Sequence, residues 1–245
     1  MPEHELWVTK LFNDHLAGVG LNVLSLFGVH AENPTRPWAN FITMQILVAI
    51  VIVVLFSILK TRLSVDRPGK LQHLFEIIFQ FLHDTSNDVV GHGGTRYLAL
   101  FGTLFVFILF SNLLGVIPGL ESPTMFPQVP LGCALVTFAY YNWMGIRANG
   151  IGKYLAHFAG PIPAMAPLMA PIELISHMAR PLSLTVRLFA NMYAGEQVTL
   201  VFISLAYLVA PALFMGLHVF VGFLQAYVFT LLTMTYVGQA VAHEH

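Results

Sequence analysis

Between Ala39 and Leu59 the chain carries no acidic, basic or histidine side chain. About 21 residues rising about 1.5 Å each cover about 30 Å, the thickness of a bilayer's hydrocarbon core. Backbone polar groups placed there have no water to bond, so the segment must satisfy them within itself, as a helix does. Similar reasoning applies to 95–117 and 128–146, and to two longer apolar patterns over 165–209 and 211–241. Composition agrees: 57% of residues are apolar and 9% charged, against about 25% charged in soluble domains. The expectation is an all-α polytopic membrane protein forming one domain over 1–245. It has about five crossing helices, one amphipathic interfacial helix and a long tilted C-terminal helical hairpin. No internal repeat, low-complexity tract or soluble domain interrupts it.

Basic residues orient the chain. Lys60, Arg62, Arg67 and Lys70 follow the first span within eleven positions, which assigns this loop to the cytoplasm. Residues 71–90 repeat apolar side chains at helical spacing (Leu71, Leu74, Phe75, Ile78, Phe81, Leu82) with Glu76, Gln80, Asp84 and Asp88 opposite. That pattern suits a helix lying along the membrane surface. The loop over 118–131 has Glu121 and no Lys or Arg, as a translocated loop should, whereas Arg147 and Lys153 follow the third crossing. Segment 1–38, with Trp38 as an interfacial anchor, is then outside and the C-terminus cytoplasmic. Met1 to Asn13 lacks the apolar core of a signal peptide, so the spans are expected to direct insertion. A net charge of −1 is uninformative about nucleic acid and no basic cluster argues for it, so no nucleic-acid partner is expected; Cys133 as sole cysteine excludes an internal disulfide. With no HExxH, phosphate loop, nucleophile elbow or dinucleotide motif, neither a metal nor a cofactor is expected.

The stretch RPLSLTVRLFANMYAGEQ, Arg180 to Gln197, puts two arginines, an amide and a carboxylate inside an apolar region. An arginine at the centre of a membrane helix costs about 2.5–3.5 kcal/mol on insertion scales, so it is expected to face other protein, water or a partner. At about 100° per residue, Arg180 and Arg187 lie about 20° apart, with Ser183 and Asn191 about 40° to either side of Arg187. Glu173 returns to within about 40° of this face, and Glu196 lies about 180° away. Pro181 is able to rotate whatever precedes it. On the next helix His218 and Gln225 share a face, and an antiparallel hairpin brings Gln225 toward Arg187 and His218 toward Glu196.

Each group also has a plainer reading. Arg187 is a functional cation facing water or a partner, or a structural arginine salt-bridged within the bundle, and Arg180 is either functional or snorkels to the surface. Glu196 and His218 either satisfy each other or relay protons, since histidine titrates near neutrality. Asn191 and Gln225 are also what glues membrane helices together, and His177 is a core or a lining histidine.

The run RPLSLTVRLFANMYAGE, with LQAYVFTLLTMTYV at Leu224 to Val237, closely resembles subunit a of the F-type ATP synthase, the proton-channel stator. NLLGVIPG at Asn112 to Gly119 and PIELIS at Pro171 to Ser176 are similar to that family as well. The loop SPTMFPQVPLG departs from it. The resemblance implies a non-catalytic subunit of the bacterial plasma (inner) membrane, packed against a c-ring of proteolipid subunits and peripheral-stalk b subunits. It implies that Arg187 faces the ring, that Asn191, Glu196, His218 and Gln225 line an outer half-channel, and that Glu173, Ser176 and His177, with Ser183 near Arg187, serve the cytoplasmic one. The alternative from residues alone is a secondary transporter using Arg187 to bind an anionic substrate; such folds often pair structural repeats, and no second arginine segment exists.

Overall fold

The computed structural model of the chain describes residues 5–26, 35–64, 68–91, 93–117, 119–152, 154, 166–205 and 209–241. The four prolines between Gly160 and Pro171 suggest an irregular bend; that stretch lies outside the described residues up to 165 and is helix rather than irregular bend from Ala166 on. The tail histidines His243 and His245 also lie outside the described residues. Helix α1, Trp7–Leu26, occupies most of what the sequence presented as a mixed polar segment. It bends at Leu16 (φ −122°, ψ 16°), and the Leu16 carbonyl there accepts the Trp38 indole N–H at 2.9 Å. Asn13 and the Trp38 backbone bond reciprocally at 3.0 and 3.2 Å, and Glu5 takes both Asn13 and Arg36. Trp38 therefore anchors α1 as well as marking the start of the first span.

The uncharged run forms α2, Asn40–Thr61, joined to α1 by a Thr9–Thr43 hydroxyl contact of 2.7 Å. The surface pattern forms α3, Lys70–Val90, with Leu82 buried and Leu71, Leu74, Ile77 and Phe79 exposed. After Gly91 and Gly93, both at positive φ, a short 3₁₀ turn leads into α4, Leu98–Leu114. A second 3₁₀ turn, Pro123–Met125, precedes α5, Gln128–Asn149. The C-terminal hairpin is α6, Ala166–Leu205, and α7, Val209–Val241. No strand occurs among the described residues.

Among the described residues three helical stretches combine the length and apolarity of a span: Asn40–Thr61, Gly94–Leu114 and Leu213–Val241. The other two expected crossings, α5 and α6, are 22 and 40 residues long but carry too many polar side chains to meet that composition. Pro171 and Pro181 sit inside α6 without ending it, as neighbouring helices and hydroxyl groups permit in membranes. The core lies where α4, α5, α6 and α7 meet. Phe101, Phe105 and Ile108 of α4 pack with Tyr141 of α5, Leu184, Leu188 and Met192 of α6, and Phe229 and Met234 of α7.

Candidate functional site

Leu184, Leu188 and Met192 recur at four-residue spacing and are all buried, so they fix which side of α6 faces the bundle. The residue before Leu188 is rotated about 100° from it, and Arg187 is accordingly exposed. Among the described residues Arg187 has neither a hydrogen bond nor an ion pair. Arg180, one face with it by spacing, has a different environment. Its guanidinium lies over the Tyr236 ring of α7, 5.1 Å from the centroid, an attraction worth about 0.5–2 kcal/mol. Ser183 and Ser176 are exposed and Glu173 is half-buried, so these three follow the outward side of α6.

His177 points the other way and is buried. Asn142 of α5 donates to its own helix at the Phe138 carbonyl (2.6 Å), which turns the amide oxygen toward α6. That oxygen accepts the Tyr154 hydroxyl at 2.7 Å and meets His177 Nε2 at 2.9 Å. Burial raises the Tyr154 phenol above its ordinary range, which keeps the hydroxyl a donor. Since the amide oxygen only accepts, the proton between it and His177 is carried by Nε2. Tyr141 stacks edge-on against the same imidazole. His177 thus joins α5 to α6 and is not on the outward side with Ser176.

The contact between the hairpin helices is polar at two levels. Asn191 Nδ2 donates to Gln225 Oε1 at 2.7 Å, so Gln225 bonds one turn along from Arg187, the partner the nested spacing suggested. The shift is four residues, which preserves the face. One turn further, the His218 ring abuts Gly195: a Cβ there would stand 2.8 Å from Nδ1, and the ring bonds the Gly195 backbone. Glu196 is half-buried beside this contact. Glu196 Oε2, His218 Nε2 and Gln225 Nε2 are buried without a hydrogen-bond partner among the described residues. Glu196 and His218 therefore do not close on each other through these atoms.

Sequence reasoning passed over several participants. Asn112 of α4 is wholly buried and donates to the Gly222 carbonyl of α7 at 2.8 Å. In the sequence it opens the family-like run NLLGVIPG, but nothing there marked it as a link to α7. Asn142, Tyr154 and Tyr236 gave no periodic signal at all. Among the described residues no group of three or more His, Cys, Asp or Glu side chains is placed to hold a metal ion.

The family described as ATP synthase A chain matches residues 41–238. "ATP synthase subunit a" of Solibacter usitatus is 66% identical over 235 residues, covering 96% of this chain and 100% of that protein. The protein of the same name from Koribacter versatilis is 46% identical over 99% of both chains. That from a Sulfurihydrogenibium species is 43% identical over 83% of this chain and 98% of its own.

Proposed function

We infer function from one premise: the chain belongs to the ATP synthase A chain family, and so is a membrane-sector subunit of an ATP synthase. We assign it the role of proton-translocating stator, holding no catalytic site of its own and packing against a ring of proteolipid subunits and the peripheral-stalk b subunits. In this reading the chain crosses the membrane five times, with its N-terminus outside and C-terminus cytoplasmic.

The observation that carries the assignment is the contrast between the two arginines. Arg180 is held by an aromatic ring of its own chain, whereas Arg187 is exposed and, among the described residues, has no acid to neutralise it. An exposed guanidinium in hydrocarbon needs a counter-charge from elsewhere, and a carboxylate on a passing rotor subunit supplies one. Arginine keeps its proton in any such environment, which a lysine does not. It therefore holds the rotor carboxylate ionised where two half-channels would otherwise short-circuit.

Protons reach this point from outside along the α6–α7 contact, past Glu196, His218, Gln225 and Asn191. The three unmatched buried polar atoms there are the kind that bind ordered water. On the cytoplasmic side Glu173 and Ser176, with Ser183 nearer Arg187, line the exit, and His177 supports that turn of α6 from behind. Each proton crossing 100 mV contributes about 2.3 kcal/mol, and several together drive ATP formation. Arg187→Ala in the assembled complex is expected to abolish ATP-driven acidification of inverted vesicles. Acidification at the normal rate by an assembled Arg187→Ala complex overturns the assignment.

A further inference from the structure

Beyond α4 the chain does not lie over the membrane surface but returns into the bundle. Ser122 and Thr124 are wholly buried. Ser122 Oγ donates to the Ser111 carbonyl at 2.9 Å, Thr124 Oγ1 donates to Asn112 Oδ1 at 2.6 Å, and the two hydroxyls touch at 2.7 Å. Two hydroxyl protons thus serve three contacts, and one of them is shared. Asn112 Nδ2 is committed to the Gly222 carbonyl, so its amide cannot flip away from Thr124. Gly115 completes the clamp: a Cβ there would stand 2.8 Å from Ser122 Cβ and 3.1 Å from its backbone nitrogen.

This clamp sets the height of the residue before it. Asn112 and Gly222 mark one level. Gly115, against Ser122, lies about one turn beyond Asn112 on α4, and His218 about one turn beyond Gly222 on antiparallel α7. Both steps lead toward the same end of the bundle. Glu121 is therefore at the level of His218, whose ring abuts Gly195, next to Glu196. The 3₁₀ turn following Glu121 packs against α6, and Glu121 is within electrostatic range of Glu196. It is half-buried.

We propose that Glu121 is the outermost proton acceptor of the translocation path, held by the Ser122–Thr124–Asn112 clamp to form a carboxylate pair with Glu196. This rests on the stator reading above. The step is a proton transfer alone: an O–H bond forms at the Glu121 carboxylate as outside water releases a proton. That bond breaks as the proton passes to the Glu196 carboxylate, where one O–H bond forms; onward transfer to the His218 imidazole is a separate step that breaks that bond in turn. Two carboxylates so placed titrate as one coupled unit, so the pair holds a proton ready over a wider range of outside pH than Glu196 alone. Among the described residues Glu196 faces it from α6, with His218 of α7 at the same level. Toward α1, Glu5 is already matched by Arg36, and Lys10 and Asp14 are exposed. The last turn of α4, the 3₁₀ turn, α2 up to Leu59 and the first half of α5 contribute none.

The test uses the whole complex in proteoliposomes, with pH set independently on the two sides and ATP synthesis driven by a fixed membrane potential. Glu121→Gln should shift the dependence on outer pH about one unit toward acid and leave the dependence on inner pH unchanged. Glu121→Asp should restore most of the normal profile, because it keeps the carboxylate. Thr124→Val, which frees the loop, should reproduce the shift, and it carries the test should Glu121→Gln fail to assemble. An unaltered outer profile in Glu121→Gln, or an equal loss on both sides that aspartate does not rescue, overturns the proposal. If Arg187→Ala still pumps, the stator reading fails whatever Glu121 does. If only the Glu121 profile is normal, the stator reading stands and this inference alone falls.

Discussion

Arg180 and Arg187 differ by seven positions on one helix and face nearly the same way, yet the fold separates their roles. The reason is register: Arg180 meets Tyr236 in the same helix offset that sets Asn191 against Gln225, eleven residues further along α6. Among the described residues no aromatic ring of α7 lies over the exposed Arg187 in the same way. Spacing along the sequence disclosed the face but not the neighbour, because a neighbour depends on how two helices are offset. The same limit explains why Gln225 was expected beside Arg187 and is found one turn along. Gly195 belongs to this scale as well, since its missing side chain is what admits the His218 ring. Gly195→Ala places a methyl carbon 2.8 Å from His218 Nδ1, which forces the ring to move. Misplacing a reacting group by about 1 Å costs up to about a hundredfold in rate. ATP-driven acidification by an assembled Gly195→Ala complex should fall about ten- to a hundredfold. A normal rate would show that the imidazole position is immaterial to conduction.

Helices as elements were largely legible, because apolar runs and their charged ends are local signals. The sequence limits of the first span and the surface helix, 39–59 and 71–90, are within two residues of α2 and α3. The connections were not legible. Asn112 bonds a residue 110 positions away, and Trp38 ties down α1 across a bend that no periodicity announces. The turn 122–124 belongs to the loop that departs from its family, and it proves to be buried against α4 and α6, with Asn112 of α4 joining it to α7. Asn112→Leu removes the contact that unites these three elements, leaving the Gly222 carbonyl and the Thr124 hydroxyl without their partner. Hydrogen bonds between membrane helices average about 0.6 kcal/mol and reach about 1.7, so a loss of about 1–2 kcal/mol is expected for the pair. Thermal release of this subunit from the detergent-solubilised complex should occur several degrees lower in Asn112→Leu. Release at the normal temperature would mean that the clamp orients the loop without stabilising the bundle.

At the scale of the molecule, length decides the shape of the ion path. A regular helix of 40 residues extends about 60 Å, twice the hydrocarbon thickness, so α6 crosses strongly tilted or runs partly along the bilayer. A tilted helix presents its outward side along an arc rather than at one depth. That geometry suits a path in which Glu173 and Glu196, 23 residues apart, serve opposite sides of the membrane while Arg187 stands between them. It also makes the orientation of α6 testable without a structure of the complex. The chain's own cysteine, Cys133, is buried and should give little background reaction. Cysteines introduced for exposed Ser176 and Ser183 should cross-link to a cysteine placed beside the membrane carboxylate of the ring subunit. A cysteine for Leu188, which is fully buried in the core, should not. Cross-linking at Leu188→Cys with silence at Ser176→Cys and Ser183→Cys would turn α6 around. The exposed guanidinium would then face lipid and the rotor would meet the hydrophobic side, leaving the ring carboxylate with no counter-charge at the point where the two half-channels must be kept apart.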